Sequence, residues 1–348
     1  MLIYFHIPFC DSKCNYCSFN SFTNLHHLID EYFTALNTAL EWELNNLQEP
    51  IESIFIGGGT PSVANYKHYE KLFNTLSPYI DENIEITIEA NPNSATKEWL
   101  EGMHSLGINR VSFGVQSFDD NKLKALNRAH NSKEAINAVE NAHKVGFENI
   151  SLDIIYDTYL DTNELLQKDI NLALSLPINH ISTYELIVEN LPWFKSGEVK
   201  QNSESFNFFV RDLIVGGGLE QYEVSNYGTY KCKHNIGYWQ HKNYLGIGAG
   251  AVGFKDSFRY YPKSGVKAYI QEPLEVRKEY LSSEDILTEK IMLGLRSCVG
   301  VDMNILTQSM QEKAKILINE EKLEMKNGII YAKELFLADE ISLFIMQN

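Results

Sequence analysis

Cys10, Cys14 and Cys17 fall within eight positions of one stretch, "CDSKCNYC", and the whole chain has only five cysteines. Thiolate is the preferred ligand of iron–sulfur clusters, so three converging thiols read first as a cluster site. Three ligands on a four-iron cluster leave one iron with open coordination. An open iron can bind a chelating small molecule. The other reading is a zinc knuckle, which wants four ligands. Cys232 and Cys298 are remote in sequence, and His6 or His26 is the remaining candidate to complete such a set. An odd, clustered set of cysteines argues against a disulfide framework and for metal or redox chemistry in a reducing compartment. Tyr16, beside Cys17, offers an aromatic face to whatever the thiols hold.

Further polar and glycine residues recur at regular intervals. "GGGTP" covers Gly57–Pro61, "EANP" covers Glu89–Pro92, "GVQS" covers Gly114–Ser117, and Asp153 stands in a later apolar run. Glycines let a backbone approach a ligand closely and adopt φ > 0. The alternative for each is a plain tight turn, the better reading of GGGTP taken alone, or a loop-anchoring polar residue. Their positions are the stronger argument, because each closes a candidate strand.

The apolar runs predict strands over Leu2–Ile7, Ser53–Ile56, Glu85–Glu89, Arg110–Val115, Asn149–Ile155 and His180–Leu186. Amphipathic stretches predict helices near Leu28–Leu47, Tyr66–Leu76, Thr96–Leu106, Lys133–Val145 and Glu164–Leu174. Alternation at about 30 residues per unit predicts an α/β fold with a parallel sheet. Periodicity does not decide between an open sheet and a partial barrel. In both, ligand chemistry belongs at the C-terminal ends of the strands, where these motifs stand.

The rhythm changes after residue 190. A helix near Ser205–Val215 leads to "CKHNIGYW" (Cys232–Trp239) and then to "GAGAVG" (Gly248–Gly253). His234, with Tyr238 and Trp239 beside it, is the sharpest candidate for a second site; the alternative is a histidine and aromatic cluster that packs the barrel. "GAGAVG" fits GxGxxG literally, but lacks the acidic residue about 20 positions on, so a nicotinamide site is rejected. Helices over Ser282–Gly294, Asn304–Leu306 and Gln311–Glu324, then a hairpin within "GIIYAKELF", predict a small winged-helix-like unit. Cys298 reads as a buried small apolar residue of this helical stretch. The expected division is 1–190, 191–280 and 281–348.

Net charge is −16, with 44% hydrophobic and 22% charged residues in 348. No basic stripe marks a nucleic-acid binder, and no run approaches the roughly 18 apolar residues of a membrane helix. The first strand begins at Leu2, which leaves no room for a removable leader.

A CxxxCxxC motif directly after the first strand, with GGGTP closing the second, resembles the radical S-adenosylmethionine (SAM) superfamily. "YFHIPFC", "FIGGGTPS", "IEANP", "RVSFGVQSF", "LNRAH" and "HNIGYW" resemble the oxygen-independent coproporphyrinogen oxidase family over nearly the whole chain. Oxidases of that family carry a further cysteine two positions past the third, where this chain has Phe19. Phe19 and the HNxxYW motif, together with the short N-terminus, match its heme-chaperone branch.

The resemblance implies a radical SAM partial (β/α)6 barrel and a small C-terminal helical domain. It implies a [4Fe–4S] cluster on Cys10, Cys14 and Cys17, with SAM on the open iron. Gly58, Gly59 and Thr60 would meet the methionine end of SAM. Glu89, Gln116, Arg128 and Asp153 match positions that hold its ribose and carboxylate, and the donor fork of Arg128 suits a carboxylate. Tyr4 matches a position near cluster and SAM, and Val252 one near adenine. Heme would be the cargo, with His234 its ligand and Cys232 an alternative. Recipient hemoproteins, membrane-bound respiratory enzymes among them, would be the partners of a cytoplasmic protein working at the membrane face, as a monomer or a dimer. The competing readings are a coproporphyrinogen III dehydrogenase, in which SAM is cleaved to a radical, and a structural metal protein without a reaction. One loop departs from the family: where it reads "YGLPGQT", this chain has "YDTYLDT" (Tyr156–Thr162).

Overall fold

The computed structural model describes residues 1–187 and 204–347. The boundary expected at 190/191 lies outside these residues. Six strands run parallel in sequence order: β1 (Leu2–Ile7), β2 (Ser53–Gly58), β3 (Glu85–Ala90), β4 (Arg110–Gln116), β5 (Asn149–Tyr156) and β6 (His180–Glu185). These are the six expected strands, with ends differing by one or two residues. Between them lie α1 (Ile29–Asn45), α2 (Lys67–Leu76), α3 (Lys97–Ser105), α4 (Asp120–Ala125), α5 (Ser132–Val145) and α6 (Asn163–Ser175). Local chemistry fixes several starts. Thr96 and Thr162 accept from the N–H groups of Trp99 and Leu165, and Asn131 with Glu134 forms a capping box on α5. Each such cap satisfies a donor that the first helical turn leaves unpaired.

The next segment extends the sheet at both edges. It comprises α7 (Asn207–Gly216), β7 (Glu220–Glu223), β8 (Asn226–Gly228), α8 (Lys233–Trp239), β9 (Tyr244–Ile247), β10 (Gly253–Lys255), β11 (Phe258–Pro262), α9 (Val266–Gln271) and β12 (Val276–Tyr280). β9 joins β1 in parallel, β10 to β12 continue antiparallel, and β8 and β7 add antiparallel to β6. Among the described residues, the order β12-β11-β10-β9-β1-β2-β3-β4-β5-β6-β8-β7 has two unpaired ends, so this is an open partial barrel rather than a closed one. Its apolar core includes Phe5 and Ile54 from the strands and Leu36, Leu40, Leu72 and Leu100 from the helices, all buried.

The C-terminal residues have a core of their own, around Ile291, Leu295, Leu317, Ile330 and Ile341. They form α10 (Ser283–Leu295), β13 (Val301–Asp302), α11 (Gln308–Asn319), β14 (Leu323–Lys326), β15 (Ile329–Ala332) and α12 (Ala338–Met346). Three expectations are corrected here. The helix expected over Gln311–Glu324 ends at Asn319, and its last residues belong to β14. The hairpin turn is Asn327–Gly328, with φ of 54° and 82°. Both residues are left-handed, as a two-residue hairpin requires. "GIIYAKELF" therefore holds only the second strand. Cys298 is exposed rather than buried, because α10 has already ended and the chain there runs along the surface, its N–H on the Tyr222 carbonyl at 2.8 Å. Among the described residues, no helix is long and apolar enough to cross a membrane.

Candidate functional site

The loop after β1 is irregular, and side chains hold it from both sides. His6 Nε2 lies 2.8 Å from the Asn20 carbonyl, and its Nδ1 lies 3.0 Å from the Tyr4 hydroxyl. A carbonyl only accepts, so Nε2 carries the proton and Tyr4 O–H donates to Nδ1. Asn20 in turn donates to Ala249 O and Ser264 O. On the other side, Asn15 N–H donates to Leu126 O, and the Asn127 amide donates to Lys13 O at 2.8 Å.

Cys10, Cys14 and Cys17 line a cavity of about 350 Å³ at the C-terminal ends of the strands. Gly58, Gly59, Thr60, Glu89, Gln116, Arg128 and Asp153 line the same cavity. Among the described residues, no three His, Cys, Asp or Glu side chains gather tightly enough to hold one metal ion.

The glycine turn packs closely against the chain's own β1 and the loop after it. Gly58 sits at φ 109°, and a Cβ there would lie 2.4 Å from the His6 ring. A Cβ on Gly59 would lie 2.7 Å from Ile7 O and 2.8 Å from Phe9 O. Gly58 N–H donates to Glu89 Oε2 at 3.0 Å. Thr60 O–H donates to Cys10 Sγ at 3.3 Å, and the Asn91 amide donates to Thr60 Oγ1 at 3.2 Å.

Two buried carboxyls face the same interior. Burial, then the neighbouring Asp153, pushes Glu89 up to about 7. Burial likewise pushes Asp153 up to about 6, opposed by its hydrogen bonds and by Arg110. Desolvation disfavours the charged form, which is the chief cause of both shifts. Gln116 takes φ 68° at a bulge where β4 shifts register against β5. Bulges of this kind re-aim side chains next to sites.

Arg128 is held tightly. Its Nη2 donates to Asn91 Oδ1 at 2.7 Å and to Gly114 O at 2.6 Å, and its Nη1 lies 3.2 Å from Cys14 Sγ and 3.4 Å from Tyr16 Oη. Sequence reasoning left Asn91 without a role, although it stands within "EANP".

Three expected site residues are not brought into this cavity. Tyr4 lies lower in the barrel, beneath the glycine turn, where burial and then Glu89 raise its phenol well above the usual range. Val252 packs its backbone against Gly246 of β9. His234 lies at the opposite end, where the strands begin. It is fully buried, with Nδ1 2.9 Å from Ser53 Oγ and its ring against Phe55 and Tyr238. Its Nε2 is buried without a partner, and burial, then Arg110, lowers the imidazole to about 3. Cys232 is buried beside it, its thiol pushed up to about 12 by burial.

The altered loop is anchored by a pair that sequence reasoning missed. Lys122 of α4 and Asp161 are both fully buried and 2.6 Å apart, and Lys122 also donates to Ile155 O at 2.7 Å. Asp161 accepts from Thr158 N–H at 2.8 Å.

The model of the radical SAM superfamily matches residues 4–172. The chain is 36% identical to the heme chaperone HemW of Lactococcus lactis over 86% of its own length and 82% of that protein. It is 35% identical to the heme chaperone HemW of Bacillus subtilis over 86% and 84%. In fold it is similar to coproporphyrinogen III oxidase (HemN) from Escherichia coli, described as a radical SAM enzyme. That match has a TM-score of 0.83 at 19% identity and covers 99% of this chain and 89% of that one. The motif set, the cavity and relatives at this identity over most of both chains agree, and the chain belongs to the heme chaperone HemW family of the radical SAM superfamily.

Proposed function

We propose that the chain holds a [4Fe–4S] cluster on Cys10, Cys14 and Cys17, binds SAM beside it, and carries heme for delivery to recipient hemoproteins. The observation that supports this most is the convergence of three thiols, the glycine turn and two near-neutral carboxyls on one cavity. When bound, a reduced cluster can supply an electron to SAM. The residues around it bind and orient. Gly58 and Gly59 admit a ligand against the backbone, Glu89 and Asp153 offer carboxylates to its cationic and hydroxyl groups, and Thr60 hydrogen-bonds the Cys10 sulfur. Phe19, Tyr184 and Ile187 line the cavity and are also exposed, which suits a large planar apolar molecule at its mouth.

His234 is proposed as heme ligand on the family resemblance. Its Nε2 is enclosed where the strands begin, so ligation would require α8 to leave that floor. We also propose that residues 281–348 act as a separate unit, in line with their own core. Site of action is proposed as the cytoplasm, at the membrane face where respiratory hemoproteins are loaded.

The test is anaerobic reconstitution of the full chain. We expect uptake of a complete cluster's iron and sulfide, SAM binding by calorimetry, and a heme Soret band on titration. Supplied with reductant, SAM and coproporphyrinogen III, it should form no protoporphyrinogen. Turnover would replace the chaperone reading with an oxidase. A heme spectrum unchanged in His234→Ala would remove that residue as ligand.

A further inference from the structure

We propose that Arg128 sets the reduction potential of the cluster through Cys14, a role distinct from holding the carboxylate of SAM. This rests on the reading that the three cysteines hold a cluster.

The guanidinium has five N–H donors in a fixed plane. Both Nη2 donors are used on protein oxygens, Asn91 Oδ1 and Gly114 O. Those two oxygens fix the plane, and Nη1 is thereby aimed at Cys14 Sγ, 3.2 Å away, with Tyr16 Oη at 3.4 Å. Nε is buried without a partner. The direction of the fork is thus set by the ends of β3 and β4, and its free edge meets a sulfur.

Chain connections keep this geometry together. α4 ends at Ala125, directly before Leu126–Asn127, which grip the cysteine loop through Asn15 and Lys13. The Ala125 carbonyl accepts from the Asn15 amide at 3.1 Å. Arg128 therefore stands on the same segment that clamps the loop carrying Cys14. By contrast, Cys10 Sγ receives a neutral hydroxyl, that of Thr60 at 3.3 Å.

An N–H donor on a ligating sulfur withdraws electron density from it, and hydrogen bonds to the sulfurs are among the terms that set cluster potentials. A buried cation beside the sulfur also favours the more negative, reduced cluster. Both effects move the potential the same way, toward easier reduction. Removing the guanidinium should make the cluster harder to reduce, even with no SAM present.

The test is an EPR-monitored redox titration of the loaded full-length protein without SAM, in wild type, Arg128→Lys and Arg128→Met. We expect a midpoint more negative than wild type in both variants, and further in Arg128→Met. A lysine keeps the charge but cannot reach Asn91, Gly114 and Cys14 together. A variant with full iron and sulfide and the wild-type midpoint overturns the proposal. If Arg128→Met loads no cluster, Arg128→Lys decides by the same criterion. If neither loads, Asn91→Ala decides, because it frees the fork while leaving the arginine, and a wild-type midpoint there overturns the proposal. Failure of the underlying reading looks different: wild type itself would take up no cluster.

Discussion

Glu85 Oε1 accepts the backbone N–H of His234 at 2.9 Å, across 149 positions of chain. Oε2 of the same carboxylate accepts from Lys233 N–H and from the Tyr230 hydroxyl, each at 2.7 Å. An anion on the first N–H groups of a helix is a cap, and here it comes from the start of a barrel strand. Glu85→Gln weakens this charge-assisted cap, and we expect about 1–3 kcal/mol loss of stability by urea denaturation. A change under about 0.5 kcal/mol would remove Glu85 as the anchor of α8.

His234 has its folded pKa lowered to about 3 by burial and then Arg110. The unfolded state binds the proton more readily, so stability rises with pH across this window. The contribution is fully present above the unfolded value near 6.5 and is lost as pH falls toward 3. We expect His234→Ala to be less stable at neutral pH and to show a shallower loss of stability between pH 6.5 and 4. Parallel acid limbs in the two proteins would contradict this.

Glu89 and Asp153 carry raised values of about 7 and about 6, in each case chiefly through burial. A cationic ligand prefers the ionised carboxylates, so SAM affinity should rise from pH 5 to about 7.5 and then level. For the ligand-free protein the sign is opposite. The folded state holds protons that the unfolded state releases, so these groups' contribution to stability falls from about pH 4 to 7. Calorimetry across this range checks the first, and Glu89→Gln should flatten much of it.

Gly59→Ala places a methyl 2.7 Å from Ile7 O and 2.8 Å from Phe9 O. Both are backbone atoms that cannot rotate aside. The turn must shift, and we expect at least a tenfold loss of SAM affinity, about 1.4 kcal/mol. Affinity within twofold of wild type would show that the turn does not meet the ligand.

Lys122→Met leaves Asp161 buried without its counter-charge. Breaking a buried pair from one side costs about 3–5 kcal/mol, whereas replacing both partners with apolar residues is often near neutral. Lys122→Met/Asp161→Leu should therefore recover much of what Lys122→Met loses. Equal losses in single and double variants, measured by denaturation, would show that the pair itself is not the source.

Much of the scaffold is written locally. Runs such as "LIYFHI" and "EITIEA" mark strands because apolar, β-branched residues bury on both faces of a parallel sheet. The three cysteines and the glycine turn could be read because their chemistry depends on spacing within a few residues. The Asn327–Gly328 turn was equally local, and the strand before it was lost to a helical pattern running past Asn319. His234 was harder. Its neighbours in sequence, Tyr238 and Trp239, look the same whether they stack on a ligand or plug a barrel floor.

By itself, then, the sequence determined the parallel α/β scaffold, the thiol triplet and the family, since each depends on residue type at short range. Tertiary structure decided which distant groups meet. It set Arg128 on Cys14 across 114 positions, joined Lys122 to Asp161 and moved His234 to the far end of the strands. It also raised Glu89 to about 7 and Asp153 to about 6, because desolvation and charge proximity arise only when the chain packs.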